Sequence, residues 1–402
     1  MALSRREFLT VLAGTGLFPP LARAAQAPPA QALPEGAYAL AGTVHPGRGA
    51  PLPGRAVLVR DGRIEAVVPA QSVTDRPVFA PKDAAIVPGV INAHCHDLYS
   101  SAERRERWLA HGVTAIGDAA SPLRFLPALI DSPRGKTASA SACGPMLCPP
   151  GGYPLPVHSP DHALVVDSPR AGAEAVKRLA DLGATRIKIA FEPGTLPEPW
   201  PRFDPATAAS ICEEARRLGL GVRCHVEDLS GLEPALNAGV SAIEHVPHRW
   251  HDQGALRPVL APDDAPVPYY QGLLERMARD GIVMTPTLDV FTRTPWNGPA
   301  LFEPVRAFHA LGGRVALGND FPYRRTDAGM PVREMRLLAQ AGLDQTAVLE
   351  AATATAAEVC GFTDRGRIAP NLAADLLVVR GAPTPDALQA PLHIVKDGVF
   401  LR

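Results

Sequence analysis

The chain has 402 residues, 46% apolar and 20% charged, with 40 Lys plus Arg against 41 Asp plus Glu. This balance argues against a nucleic-acid binder, which carries basic excess on its binding face, and the apolar share argues against extended disorder. Gly (35) and Pro (43) are abundant but follow no repeat, so the chain reads as loop-rich and globular and not as a fibre.

At the N-terminus, Arg5-Arg6 precedes a short apolar run, Val11 to Phe18, and then Ala22-Arg23-Ala24 and Ala25-Gln26-Ala27. Paired Arg, a weak apolar stretch and small residues before a cleavage point form a twin-arginine export signal over residues 1–27. The run is too short to span about 30 Å of hydrocarbon. The expectation is a periplasmic or secreted mature protein with no membrane span. Six Cys are too few for a disulfide scaffold. Cys143 and Cys148 are near enough to bridge after export, and buried free thiols are the blander reading.

Next, 36–85 holds short alternating strands, with Ala56–Arg60 and Arg63–Val68 joined by Asp61-Gly62 as a hairpin. Residues 365–402 echo it with Asp375–Val379 and an Asp397-Gly398 hairpin. The two ends together predict one small β domain. Between them, 86–364 alternates strand-length apolar runs with helical periodicity, which predicts parallel βα units. The runs are Ile86–His94, Thr114–Asp118, Thr137–Cys143, Arg186–Phe191, Gly221–Val226, Ser241–Val246, Gly281–Leu288 and Arg314–Asp320. Helices over Pro169–Gly183 and Pro205–Gly219 follow Ser or Asp caps and end on Gly. Eight runs predict an α/β fold of the (β/α)8 TIM-barrel type. A doubly wound open sheet ranks lower, because no Gly-rich dinucleotide turn follows the first strand.

In such barrels the chemistry sits at the C-terminal strand ends. His94 and His96 end the first strand and, at i and i+2, face the same way. His225 ends the fifth, His245 the sixth and Asp320 the eighth. This N/O set suits a divalent metal such as zinc. Only five basic residues are Lys: Lys82, Lys136, Lys177, Lys188 and Lys396. Lys188 falls on the inward face of the fourth strand, between the outward Ile187 and Ile189. A bare ammonium there is costly and repels a nearby cation. Carboxylation of Lys188 turns it into an anionic ligand able to bridge two metals, which Arg cannot become. A pairing with Asp118 or Asp320 is the alternative.

Ile86-Val87-Pro88-Gly89-Val90-Ile91-Asn92-Ala93-His94-Cys95-His96 resembles the opening motif of the amidohydrolase superfamily. Ser241–His245, Ala316–Asp320 and Ala351–Ala357 with Arg367–Leu376 resemble its later motifs, over about residues 36–402. The imidazolonepropionase-like and Xaa-Pro dipeptidase-like branch is the most similar. The resemblance implies a zinc hydrolase with a composite β-sandwich beside the barrel. His94, His96 and Asp320 would hold a buried metal, His225 and His245 an outer one, and Lys188 would bridge them. Gly151-Gly152-Tyr153 stands where many relatives have Gly-Gly-His, and Gly318-Asn319-Asp320 where they have Gly-Thr-Asp or Gly-Ser-Asp.

The expected reaction is hydrolysis of a C–N amide or peptide-like bond, or of a related lactone or ester. Two divalent ions would activate a shared water, with Asp320 moving its proton and His245 helping to stabilise the oxyanion. A one-metal deaminase is a rival, suggested by Glu227 and Asp228 just after His225. An exported metal-binding barrel without turnover is a rival of another class. Tyr99, Tyr153, His158, His162, His248, Arg249 and Tyr323 are candidates to line a small-molecule pocket, with Arg249, Arg324 or Arg325 meeting a substrate carboxylate. Oligomeric state stays open, a homo-oligomer included.

Overall fold

A computed structural model describes residues 36–96, 102–127, 135–194, 198–294 and 298–401. The export signal and Tyr99 lie outside the described residues.

Strands from both ends of the chain share one mixed sheet. Tyr38–Val44 pairs antiparallel with Leu52–Arg60, which pairs with Arg63–Pro69 across the Asp61-Gly62 turn. On the other side, Ala84–Pro88 pairs parallel with Tyr38–Val44 and antiparallel with Leu376–Arg380. His393–Lys396 and Val399–Phe400 complete the far edge. Alternation sorts the two faces: Tyr38, Leu40, Val57, Val59, Ile86, Leu376 and Val378 form one apolar cluster, while Ala39, Ala41 and Ala56 form another.

The apolar run Ile86–His94 is split between two sheets. Ala84–Pro88 belongs to the mixed sheet, and Val90–Cys95 begins a parallel one. Gly89 sits at the break, where any Cβ would meet the Thr114 side chain at 2.2 Å.

Each of the other expected runs contains a strand. Val90–Cys95, Val113–Asp118 and Ser139–Ala142 form one parallel sheet. Arg186–Ala190, Gly221–His225, Ala242–Glu244, Val283–Thr285 and Arg314–Val315 form a second, in chain order. Backbone hydrogen bonds cross the two seams: Thr185 N–H to Ala142 O at 2.9 Å at one, and Ala93 N–H to Leu317 O at 2.8 Å, Asp320 N–H to His94 O at 2.9 Å and His96 N–H to Phe321 O at 2.7 Å at the other. The intervening helices start as expected. Ser168 caps Pro169–Asp181, and Asp204 caps Pro205–Arg217 by accepting from Ala206 and Thr207 N–H at 3.0 Å, each cap being worth about 1 kcal/mol.

Outward strand residues Ile187, Ile189 and Phe191 pack with helix residues Val176, Leu179 and Ile211. Facing another way, Ile91, Ala93, Ala115, Ala242, Val283 and Ala316 pack against Ala356, Val359 and Cys360 of the helix Ala354–Cys360. Most of these lie early in their strands, and the later positions are polar: His94, Lys188, His225, Glu244 and Thr285 are all buried. All six Cys are buried and none forms a disulfide, Cys143 and Cys148 included. No described helix is long and apolar enough to cross a membrane.

Candidate metal centre

The strand ends bring four imidazoles and a carboxylate together. His94 and His96 both approach Asp320 Oδ1 through Nε2, at 3.3 and 3.2 Å. The His94 ring lies 4.9 Å from His245, whose ring lies 4.4 Å from His225. Three of the four rings are held by Nδ1. His94 Nδ1 contacts Glu244 Oε2 at 2.5 Å, His96 Nδ1 the Ala120 carbonyl at 3.2 Å, and His245 Nδ1 the Thr287 hydroxyl at 2.7 Å. A proton on Nδ1 leaves the Nε2 lone pair for a cation, as metal-ligating histidines require. Burial, with neighbouring His and Lys188, pushes His225 and His245 well below the ordinary imidazole range, so both stay neutral. Burial alone would raise the Asp320 carboxyl, but His94 and His96 hold it well below the carboxylate range.

The centre is strained into place. His245 (φ 74°), Thr287 (φ 52°) and Asp320 (φ 58°) all adopt the left-handed conformation, at about 1–3 kcal/mol each. Leaving strand geometry at His245 lets the consecutive Glu244 and His245 both face His94. Gly318 permits the close approach of the Asp320 loop: a Cβ there would meet His94 Cβ at 2.6 Å.

Lys188 pairs in register with Arg223 and is 1% exposed. Its Nζ has no hydrogen-bond partner, and no ion pair joins it to Asp118 or Asp320 among the described residues. Burial lowers its pKa, and its charge bears on Glu244, His225 and His245. The buried Nε2 atoms of His94 and His225, Asp320 Oδ1 and Lys188 Nζ all lack a hydrogen-bond partner. Such orphaned donors and acceptors are costly in a dry site, and a divalent cation with N/O preference satisfies the His and Asp atoms together. Ligand atoms of His94, His245 and Asp320 lie within 4.8 Å of one another, as do those of His225, Glu227 and His245. The residues therefore fit a divalent metal.

Glu244 and Arg223 were not singled out from sequence. Arg223 Nε donates to Glu244 Oε1 at 2.7 Å and Nη2 to the Ala93 carbonyl at 2.6 Å. The pair, fully buried, orients His94 from behind. The available signal was spacing, since Arg223 stands two residues before His225 on the same strand face.

The expected pocket residues divide. Tyr153 stacks on His225 at 4.3 Å, and its hydroxyl meets His158 Nε2 at 3.1 Å. Tyr323 meets His158 Nδ1 at 3.3 Å and packs on His96 at 5.1 Å. His248 lies over Phe291 at 4.7 Å, with Nδ1 on the Val246 carbonyl. Arg249 is committed elsewhere: Nη2 contacts Glu227 Oε2 at 2.9 Å and Glu192 Oε1 at 3.1 Å. Burial and Glu227 push Glu192 up to about 8. Arg249, expected to meet a substrate carboxylate, already contacts two acidic side chains of its own. Asp228, one candidate acid for a deaminase, is engaged by Ser230 and His251.

A sequence profile described as the amidohydrolase family matches residues 151–400. No curated protein matches the chain. Among solved structures, it is similar to a Xaa-Pro dipeptidase with bound methionine, at TM-score 0.73 and 18% identity over 91% of this chain and 100% of that one. It is also similar to A. niger ochratoxinase, at 0.74 and 18% over 91% and 96%, and to a putative prolidase from Bifidobacterium longum, at 0.70 and 23% over 91% and 94%. At these identities the likeness concerns the fold, which is of the TIM-barrel type. The profile match extends over more than half of the sequence, and the chain belongs to the amidohydrolase family, hydrolases of C–N bonds.

Proposed function

We propose that the chain is a two-metal hydrolase of an amide or peptide-like C–N bond, with zinc as the metal and a carboxylated Lys188 as the bridging ligand. The observation that carries this is the buried Lys188 Nζ, without a partner beside unpartnered His94 Nε2, His225 Nε2 and Asp320 Oδ1. His94, His96 and Asp320 would hold the inner ion, and His225 and His245 the outer one. On this reading 86–364 is a closed (β/α)8 barrel, and 36–85 with 365–402 is a composite β-sandwich. Structural neighbours named as a Xaa-Pro dipeptidase, a molinate hydrolase and a phenylurea hydrolase support the C–N class without choosing a substrate.

The metal held by these residues would supply an activated water and charge to polarise the substrate carbonyl. Asp320, bracketed by His94 and His96, accepts the proton of the attacking water and returns it to the leaving nitrogen. Glu244 and Thr287 keep His94 and His245 in the Nδ1–H tautomer through Nδ1. Tyr153 stands over His225 and holds His158 through its hydroxyl. Residues 1–27 would send the folded protein to the periplasm or outside, and replacing Arg5 and Arg6 by Lys should strand it in the cytoplasm. Elemental analysis of protein prepared without chelator should give about two divalent ions per chain, with turnover on a panel of amides. A stoichiometry near one favours the deaminase-type centre, and metal without turnover on any amide, ester or lactone favours the binding barrel.

A further inference from the structure

The outer site, on the two-ion reading, has His225, His245 and the Lys188 adduct. Glu227 stands two residues beyond His225, at the edge of that site. Its Oε1 lies 3.5 Å from His225 Nε2, and that buried nitrogen has no hydrogen-bond partner. One Glu227 oxygen and one nitrogen each of His225 and His245 lie within 4.8 Å of one another. Two donors at about 2.0–2.2 Å from one tetrahedral ion sit roughly 3.3–3.6 Å apart. The inner trio shows the same spacing, with Asp320 Oδ1 at 3.3 and 3.2 Å from His94 and His96.

The rest of Glu227 is tied down. Oε2 takes Arg249 Nη2 at 2.9 Å, and Arg249 is itself held by Glu192 at 3.1 Å. The Glu227 N–H donates to Glu192 Oε2 at 3.2 Å, and its carbonyl accepts from His248 N–H at 3.0 Å. A mobile surface acid would not be fastened from the ends of the fourth and sixth strands at once. One oxygen is anchored, and the other is left beside an unpartnered imidazole nitrogen. Outer partners of this kind orient metal ligands.

We propose that Glu227 is a further ligand of the outer ion through Oε1, with Arg249 and Glu192 as its positioning residues. This rests on the two-ion reading. The ligand also supplies a negative charge independent of Lys188 carboxylation, so the outer site keeps three protein donors when carbon dioxide is scarce.

The test is metal content and affinity, not turnover. Wild type, Glu227→Gln, Arg249→Met and Lys188→Ala are titrated with zinc against a competing chelator, and again with Co(II) followed by visible absorption. Thermal unfolding of the metal-free proteins reports fold integrity. In wild type two ions bind. In Glu227→Gln the outer ion weakens by at least roughly 10–100-fold, the Co(II) band of that site shifts, and the inner ion is retained. Arg249→Met weakens the outer ion less, because Oε1 remains. Wild-type affinity and an unchanged Co(II) spectrum in Glu227→Gln overturn the proposal and leave Glu227 as a partner of Arg249 only. A wild-type stoichiometry of one overturns the two-ion reading and the outer site together. If Glu227→Gln fails to fold, Arg249→Met decides, since unaltered outer-ion affinity there contradicts the positioning role and the ligand it serves.

Discussion

Two of the five lysines are buried, and they live in opposite surroundings. Lys396, in the mixed sheet, is fully buried and meets Asp375 Oδ1 and Oδ2 and Asp397 Oδ1, each at 3.0 Å. Arg365 shares Asp375 at 2.6 Å. Lys188, in the strand Arg186–Ala190, is equally buried but has no acceptor among the described residues, and its in-register neighbour is the cation Arg223. Lys396 is an ordinary solution to a buried charge: surround it with carboxylates. Lys188 has no such solution within its own surroundings. Scarcity of Lys in an Arg-rich chain is therefore not what marks a site, since it flags both. What sets Lys188 apart is the lack of a hydrogen-bonded carboxylate on its Nζ among the described residues.

The comparison is broken most severely at Lys188. Lys188→Ala should lose roughly 10⁴-fold or more in activity, the scale seen when one member of a catalytic unit is removed. Thermal stability should hardly change, and acetate or bicarbonate should restore part of the rate. Lys188→Arg should not be rescued, because the guanidinium fills the space and keeps its charge. The opposite profile is expected at Lys396. Lys396→Met leaves buried carboxylates behind and should cost about 3–5 kcal/mol in denaturant unfolding, with metal content unchanged. If Lys396→Met instead lost metal, the two lysines would not be functionally distinct.

Glu244→Gln sharpens the contrast from the centre's side. It weakens the hold on His94 Nδ1 and should reduce metal affinity by roughly 10–100-fold, read by chelator competition. The Arg223 partner loses its counter-charge at the same time, so a lowered melting temperature should accompany it.

The smallest effect separates the regions by pH. Burial holds His158 and His248 down at about 4 in the folded chain. A histidine depressed on folding stabilises above its unfolded pKa of about 6.5, and loses that stability as pH falls toward 4. Each should contribute about 1–2 kcal/mol of loss by pH 5 in the metal-free protein. Asp397 in the sheet has the depressed carboxylate pattern, where burial would raise it and Lys396 lowers it. Its contribution persists until pH falls below about 4. Unfolding of His158→Gln measured from pH 7 to 5 should show a shallower slope than wild type, and an identical slope would remove this assignment.

The convergence of the residues proposed as ligands was legible because it used two simple rules. Alternation placed His94 and His96 on one face, and strand ends placed His225, His245 and Asp320 at one mouth. The contacts of Arg249 were not legible because its partners, Glu192 and Glu227, lie 57 and 22 residues away. No local pattern records such a distance. The left-handed turns at His245, Thr287 and Asp320 were equally hidden, since non-glycine residues there give no turn signature. The run Ile86–His94 read as one strand because hydrophobicity is continuous across Gly89, while the pairing partner changes there from Leu376–Arg380 to Val113–Asp118.

The two-metal reading turns on a single atom of the protein, Lys188 Nζ. Protein grown and purified with zinc and bicarbonate, then crystallised, exposes it directly to electron density. The expected result is a planar carboxylate group covalently attached to Nζ, with its oxygens reaching an ion held by His94, His96 and Asp320 and another held by His225 and His245. A bare Nζ in a fully metal-loaded crystal, paired with Asp118 or Asp320, would contradict it.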